Sequence, residues 1–201
     1  MSRSSRILVV RHGQSTWNAD GRWQGQADPP LSELGVAQAE AAARAVDGVA
    51  AIWTSDLERA HRTASILAAP RGLDVVADAR LRERAAGEWT GLTREQIEMR
   101  DPGALAARRR PPGFEHDDAL VVRALAALRD LATALDGGTA IVVSHGGVIL
   151  AVERHHGEEW TPVANLEGRW LEAGADGSLR LGDRQILFDP DAVEVTTPGQ
   201  P

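Results

Sequence analysis

Residues 6–13 read RILVVRHG, and residues 137–147 read GGTAIVVSHGG. Each is a short apolar run rich in β-branched side chains that stops at a His-Gly pair. A run without polar alternation is the pattern of a strand buried on both faces, as in the parallel sheets of α/β proteins. Two such strands deliver His12 and His145 to their carboxyl ends, the edge at which open α/β sheets bind ligands.

Between and beyond these runs, strand and helix signals alternate. Residues 18–30 carry the Gly, Asp, Gln and Pro of a loop, and Ser32 is an N-cap for a helix running to about Val46. AAIWTS at 50–55 reads as a second strand. It leads into DLERAHRTASILAA, where Leu57, Ala60, Ala64, Ile66 and Leu67 recur at roughly helical spacing and Asp56 suits the first turn. LDVVA at 73–77 is a third strand, and the charged loop LRERAAGEWTG at 81–91 precedes a helix near 93–100. The prolines and arginines of RDPGALAARRRPPG, 100–113, mark an exposed connection or lid. A long amphipathic helix runs from Asp117 or Asp118 to about Leu135. The stretch 160–188 alternates as a hairpin, with Ala173, Asp176 and Gly177 between its strands, and the tail VEVTTPGQP is expected to fray. The alternation predicts an α/β fold: a three-layer α/β/α sandwich around a mainly parallel sheet with right-handed crossovers. It further predicts one domain over 1–201, its core at about 6–188 and 189–201 a flexible tail.

Composition narrows the chemistry. The chain of 201 residues is 43% hydrophobic and 25% charged, enough for the core of one globular domain. It contains no cysteine, and all 22 basic residues are arginine. Thiolate nucleophiles, disulfides, cysteine-bound metals, lysine Schiff bases and the phosphate-binding lysine of P-loop NTPases are therefore excluded. With 29 acidic residues the net charge is −7, which disfavours nucleic acid and anionic membranes as partners. The N-terminal apolar run is too short for a signal peptide, and no stretch approaches the roughly 20 apolar residues of a membrane span, so a cytoplasmic location is expected.

Arg11, His12 and Gly13 suit phosphate chemistry. A guanidinium binds two phosphoryl oxygens, an imidazole is a nucleophile or acid–base group near neutrality, and glycine permits close backbone approach. Alone, the segment equally describes a surface Arg-His pair beside a turn.

Four segments in this order, RHGQSTWN at 11–18, TSDLERAHRTA at 54–64, LRERAAGEWTG at 81–91 and SHGGVI at 144–149, resemble the histidine phosphatase superfamily. That family includes cofactor-dependent phosphoglycerate mutases and many phosphomonoester phosphatases. The resemblance implies a phosphoglycerate mutase-like fold with His12 as the phosphate-accepting histidine. Arg11, Arg59 and His145 match the groups that grip the phosphoryl oxygens, and Glu83 matches the proton donor. On the substrate side it implies Asn18, Ser15, Gln24 and Gly146. No metal and no cofactor are implied; the partner is a small phosphorylated metabolite, and a homodimer is the assembly family members often adopt. Arg59 and Arg62 lie three apart on one helix and either side chain could be solvated; the family motif selects Arg59. The Leu-x-Glu pattern likewise selects Glu83 over Glu88. His61, His116, His155 and His156 are assigned no catalytic role, and Arg108–Arg110 read as a solvated charge run. Trp53 and Trp170 are expected in the core, whereas Trp17, Trp23 and Trp89 are expected to wall the site.

The set is self-consistent, because phosphoryl transfer needs in-line positioning and charge neutralisation above all. A neutral His12 attacks through one ring nitrogen if a backbone carbonyl near the turn holds the other as donor. Glu83 then protonates the leaving alkoxide and later activates water. Two departures from the mutase pattern favour hydrolysis: Gly147 stands where mutases have asparagine after His-Gly, and the long middle insertion is missing. Pro112-Gly113-Phe114-Glu115-His116 replaces the Gly-Gly-Glu-Ser of many family phosphatases. The expectation is a metal-independent phosphomonoester phosphatase. The alternatives are a phosphoglycerate mutase and a non-catalytic phospholigand-binding protein; the latter requires a broken catalytic set, and here all five positions are filled.

Overall fold

The unbroken apolar run at the start of the chain forms strand β1 (Ser5–Arg11), and both of its faces meet helices. Ile7 and Val9 point to one side of the sheet and Leu8 and Val10 to the other, all at most 2% exposed. Because successive side chains of a strand alternate in direction, only a continuous apolar run can satisfy two cores at once. The computed structural model describes residues 4–135, 137–174 and 176–199.

In chain order the elements are β1, α1 (Thr16–Ala19), α2 (Glu33–Ala45), β2 (Ala51–Thr54), α3 (Glu58–Ala68), β3 (Val75–Ala77), α4 (Arg94–Arg100), α5 (Asp117–Leu135), β4 (Gly138–Ser144), α6 (Gly146–His155), β5 (Glu167–Ala173) and β6 (Leu179–Ile186). The sheet order is β3-β2-β4-β1-β5-β6. The first four strands are mutually parallel, while β5 and β6 form the hairpin and run antiparallel along one edge. Ile7, Val9, Ala140 and Val142 pack with Leu120, Leu128 and Leu131 of α5 and Val148 and Ile149 of α6. On the opposite face Leu8, Val10, Ile52, Ile141 and Val143 pack with Ala39 and Ala42 of α2 and Ala60, Ala64 and Leu67 of α3. These layers are the α/β/α sandwich expected from the alternation of elements.

Local signals explain the helix boundaries. Ser32 caps α2 by accepting the Gly35 N–H at 3.0 Å, and Thr93 with Gln96 closes a capping box on α4. A second capping box, Ser15 with Asn18, builds the short α1 inside a stretch that reads as loop. Among the described residues no helix is long and apolar enough to cross a membrane.

Three expectations change. The 100–113 segment is not a free lid. Most of it is exposed, as an exposed connection should be, but Ala104 is fully buried and anchors it in a third cluster with Trp23, Trp89, Ile97 and Phe114. Trp53 and Trp170 lie at the margins of the two main cores and are half-buried, with the Arg6 guanidinium over the Trp170 ring at 4.4 Å. The end of the chain folds back: Val193 and Val195 pack on the α2–α3 side, and the Asn165 N–H donates to Thr196 O at 2.8 Å. Short apolar residues in a polar tail give no periodic signal, so this docking is invisible in the sequence.

Candidate active site

The two histidines meet because their strands are adjacent and in register. Val10 pairs with Val143 and Arg11 with Ser144, and the His12 N–H donates to Ser144 O at 3.0 Å. His12 and His145, the next residue of each strand, stand with ring centroids 5.1 Å apart. Beyond His12 the chain turns sharply against α2. A Cβ on Gly13 would lie 2.5 Å from Gly35 O, so the turn requires glycine for its close approach.

His12 is buried, and its Nδ1 lies 2.6 Å from Gly13 O. A carbonyl accepts and never donates, so Nδ1 carries the proton and Nε2 keeps its lone pair. Arg59 Nε–H donates to that Nε2 at 3.2 Å. The rest of the Arg59 guanidinium is pinned to carbonyls of the 18–30 loop, through Nη1 to Ala27 O at 2.7 Å and Nη2 to Gly25 O at 2.9 Å. Arg59 sits in the first turn of α3 just beyond the β2 carboxyl end and is fully buried, whereas Arg62 is exposed. Arg11 Nη1 donates to Val163 O at 2.7 Å, and its guanidinium lies over Gly146, where a Cβ would meet Nη1 at 3.2 Å.

Glu83 reaches the site from the opposite side. A turn over Ala79–Leu81 anchors its segment through buried Leu81. Arg123 of α5 then clamps the backbone, donating to Arg80 O, Arg82 O and Glu83 O at 2.7, 2.6 and 3.1 Å. Glu115 pairs with Arg123 and also accepts the Ala85 N–H at 3.2 Å. The Glu83 carboxylate accepts the Arg84 N–H at 2.7 Å and, at the start of α6, the Gly147 N–H at 3.1 Å. A Cβ on residue 147 would lie 2.2 Å from Glu83 Oε1, so glycine there leaves room for the carboxylate.

Burial dominates the electrostatics. Desolvation, then the Arg59 charge, holds both His12 and His145 well below the ordinary imidazole value of 6.5, so each is neutral at physiological pH. The same desolvation pushes Arg11 and Arg59 down to about 10, partly countered by Glu83, and both stay cationic. Five buried side-chain atoms lack a hydrogen-bond partner among the described residues: Arg11 Nε, Asn18 Nδ2, both His145 nitrogens and Arg169 Nε. Four of the five belong to Arg11 and His145, which the family resemblance implies as phosphoryl ligands, and to Asn18, which it implies on the substrate side. Unsatisfied buried donors are rare because each costs about 1–3 kcal/mol, and three of them together, on Arg11, Asn18 and the neutral His145, suit an anion that would supply acceptors.

Arg11, His12, Gln24, Arg59 and Glu83 line one cavity together with Trp23, Gly25, Arg84, Ala86 and Phe114. Ser15 does not reach it: its hydroxyl accepts the Asn18 N–H and donates to Gln24 Oε1 at 2.8 Å, which shapes the loop and turns the Gln24 amide. The aromatic wall also differs from the expectation. Trp23 lines the cavity, Trp89 packs edge-on behind it at 5.1 Å, Phe114 joins from the 111–116 segment, and Trp17 lies against Gly91. Sequence reasoning missed Arg84, Phe114, the Arg123–Glu115 clamp and Asn165, whose Nδ2–H donates to His12 O at 2.8 Å. The only available signal was the unexplained Phe114-Glu115 pair. Arg84 and Phe114 also border a second opening lined by Arg110, His116, Asp117, Asp118 and Arg154.

The chain is similar to known proteins in sequence and in fold. The family model described as histidine phosphatase superfamily (branch 1) matches residues 7–167. A glucosyl-3-phosphoglycerate phosphatase of Mycobacterium tuberculosis is 39% identical over 165 residues, covering 75% of this chain and 74% of the relative. A metal-independent phosphoserine phosphatase of Arabidopsis thaliana is 36% identical over 202 residues, covering 94% and 81%. The native structure of mycobacterial glucosyl-3-phosphoglycerate phosphatase superposes with a TM-score of 0.79 at 32% identity, covering 89% of this chain and 97% of that one.

Proposed function

The chain belongs to branch 1 of the histidine phosphatase superfamily and is a phosphomonoester phosphatase, and we propose that it works through a covalent phosphohistidine on His12, with Glu83 moving the proton. The observation that carries this reading is a neutral imidazole with its Nε2 lone pair fixed by the Nδ1–H bond to Gly13 O, beside buried, unpartnered donors of Arg11, Asn18 and His145.

The His12 Nε2 lone pair forms a bond to phosphorus as the ester P–O bond breaks, and the electron pair leaves on the alkoxide. The Arg59 Nε–H that meets Nε2 turns to a phosphoryl oxygen when phosphorus takes its place. Arg11 and Arg59 neutralise the charge on the equatorial oxygens, and the neutral His145 imidazole, Asn18 and the Gln24 amide add uncharged donors. The Glu83 carboxyl protonates the alkoxide. It then takes a proton from the water that attacks phosphorus, the N–P bond breaks, and His12 Nε2 regains its lone pair.

The substrate is a small phosphorylated molecule. The substrates named for the two curated relatives, a glucosyl phosphoglycerate and phosphoserine, each carry a carboxylate near the phosphate. Arg110 and Arg84, the latter paired with Asp117, border the adjoining opening together with Asp117 and Asp118, so that opening carries both signs of charge. It is the carboxylate shared by those named substrates that leads us to assign phosphorylated hydroxy or amino acids as the substrate class.

The test is phosphate release from p-nitrophenyl phosphate and from a panel of phosphorylated carboxylic acids, with His12→Ala as control. Expected are turnover by the natural chain, none by His12→Ala, and an acid-labile phosphohistidine trapped during turnover. Full activity in His12→Ala overturns the mechanism. Formation of 2-phosphoglycerate from 3-phosphoglycerate in place of free phosphate indicates a mutase.

A further inference from the structure

The turn that carries the nucleophile is gripped from behind by side chains the mechanism does not use. Its first peptide is held at both ends: His12 O accepts the Asn165 Nδ2–H at 2.8 Å, and the Gly13 N–H donates to Thr63 Oγ1 at 3.2 Å. Its second peptide carries the Gly13 carbonyl that binds His12 Nδ1, and the N–H of that same peptide, on Gln14, donates to Gln38 Oε1 at 2.9 Å. Asn165 and Gln38 both depend on the end of the chain. The Thr196 hydroxyl donates to Asn165 Oδ1 at 2.8 Å and accepts Gln38 Nε2–H at 3.0 Å. Gln38 Nε2 also donates to Glu194 O at 2.9 Å, and the Asn165 N–H donates to Thr196 O at 2.8 Å. Donors and acceptors match at every step, so one ring of bonds runs from His12 O through Asn165, Thr196 and Gln38 to the Gln14 amide. Asn165 and Gln38 are fully buried.

We propose that Asn165, Gln38 and Thr196 are positioning residues for the catalytic histidine, and that residues 194–196 are a working part of the active site. The proposal rests on the reading of His12 as nucleophile. The physical reason lies in the second peptide. The direction of the Gly13 carbonyl decides which ring nitrogen of His12 holds the proton and where Nε2 points. Gln38 fixes that peptide from its N–H side, and Thr196 fixes Gln38. A network buried at Asn165 and Gln38 and closed by half-buried Thr196 loses rigidity when one member is removed, and a misplacement of about 1 Å at a reacting atom costs on the order of 100-fold in rate.

Thr196→Val removes both hydroxyl bonds at nearly constant volume, and Thr196→Ser restores them. Steady-state kinetics with p-nitrophenyl phosphate are read alongside the melting temperature and the His12 tautomer from 15N NMR. For Thr196→Val the expected result is a fall in kcat of about 10- to 100-fold at nearly unchanged KM, a Tm within a few degrees of the natural chain, and a loss of the Nδ1–H tautomer population. Thr196→Ser is expected to recover both kcat and tautomer. Should Thr196→Val fail to fold, Gln38→Glu is read instead; it keeps the Gln14 acceptor, loses the donor to Thr196 and Glu194, and is expected to show the same split. Natural kcat and tautomer in Thr196→Val, or a kcat loss that serine does not restore, overturn the proposal. If the natural chain turns over no phosphomonoester, the phosphatase reading fails, and the tautomer measurement still decides the role of the ring.

Discussion

Gly147→Ala isolates the proton-transfer step. An added Cβ at this position would stand 2.2 Å from Glu83 Oε1 and 3.0 Å from its Cδ. Ordinary contact needs about 3.4 Å, so the carboxylate must retreat by roughly 1.2 Å. Its Oε2 also loses the 3.1 Å bond from the Gly147 N–H. The obstructed atoms are the far end of a flexible side chain, so the fold accommodates the methyl and the proton donor absorbs the displacement. A shift of this size in a catalytic group costs on the order of 100-fold, or about 2.7 kcal/mol in barrier. The cost falls on leaving groups that need a proton: an alkoxide does, and p-nitrophenolate leaves unaided. The quantity to measure is kcat/KM, which reports events through the first irreversible step, the loss of the alcohol. Expected is a fall of about 100-fold for an alkyl phosphate and less than about 3-fold for p-nitrophenyl phosphate, with Tm little changed. Equal losses for the two substrates, or none for the alkyl ester, would refute the placement of Glu83 as acid.

Stability should depend on pH through His12 and His145. Both have folded pKa values well below 6.5, from burial first and the Arg59 charge second, so they stay neutral in the folded chain while the unfolded chain takes up protons below about pH 6.5. Their contribution is complete above pH 6.5 and is lost as the pH falls, at about 1.4 kcal/mol per pH unit for each histidine, or ~2.7 for both. Urea unfolding between pH 7.5 and 5 checks this, and a flat profile over that range would contradict it. His145→Gln should remove about half of the slope. Arg59→Lys should lower kcat/KM by on the order of 100-fold or more, because one ammonium does not reach His12 Nε2, Gly25 O and Ala27 O together. Arg62→Ala, exposed on the same helix, serves as the comparison, and a lysine variant as active as the Arg62 one would count against the role of Arg59.

The legible features of the sequence were those with local causes. The RILVV and AIVVS runs announce two doubly buried strands, since no other local pattern is apolar on both faces of a sheet. Ser32, Thr93 and the acidic start of α5 announce helix ends through backbone groups only three or four residues away. His12, Arg59 and Glu83 were legible through their motifs. What escaped was held by contacts across 25 or more positions. Arg123 reads as an ordinary helix arginine until it is seen taking three carbonyls of the Glu83 segment, and Phe114 reads as loop until it closes on Trp23 and Trp89. Thr196 reads as tail.

The sequence by itself determined the layered α/β order, the two strands that end in histidine, and a chemistry without thiolate or lysine in which arginine is the fixed cation, because each follows from side-chain identity and short-range periodicity. Only the tertiary structure decided how the site is made to work. Register between β1 and β4 sets the two imidazoles 5.1 Å apart. Burial, which no linear pattern measures, keeps them neutral beside two cations. The tautomer of His12 is chosen by a carbonyl whose peptide is held through Gln38 by Thr196, a residue 184 positions along the chain from His12. Hydrogen bonds of that kind depend on where backbones converge in space, and convergence is a property of the packed molecule.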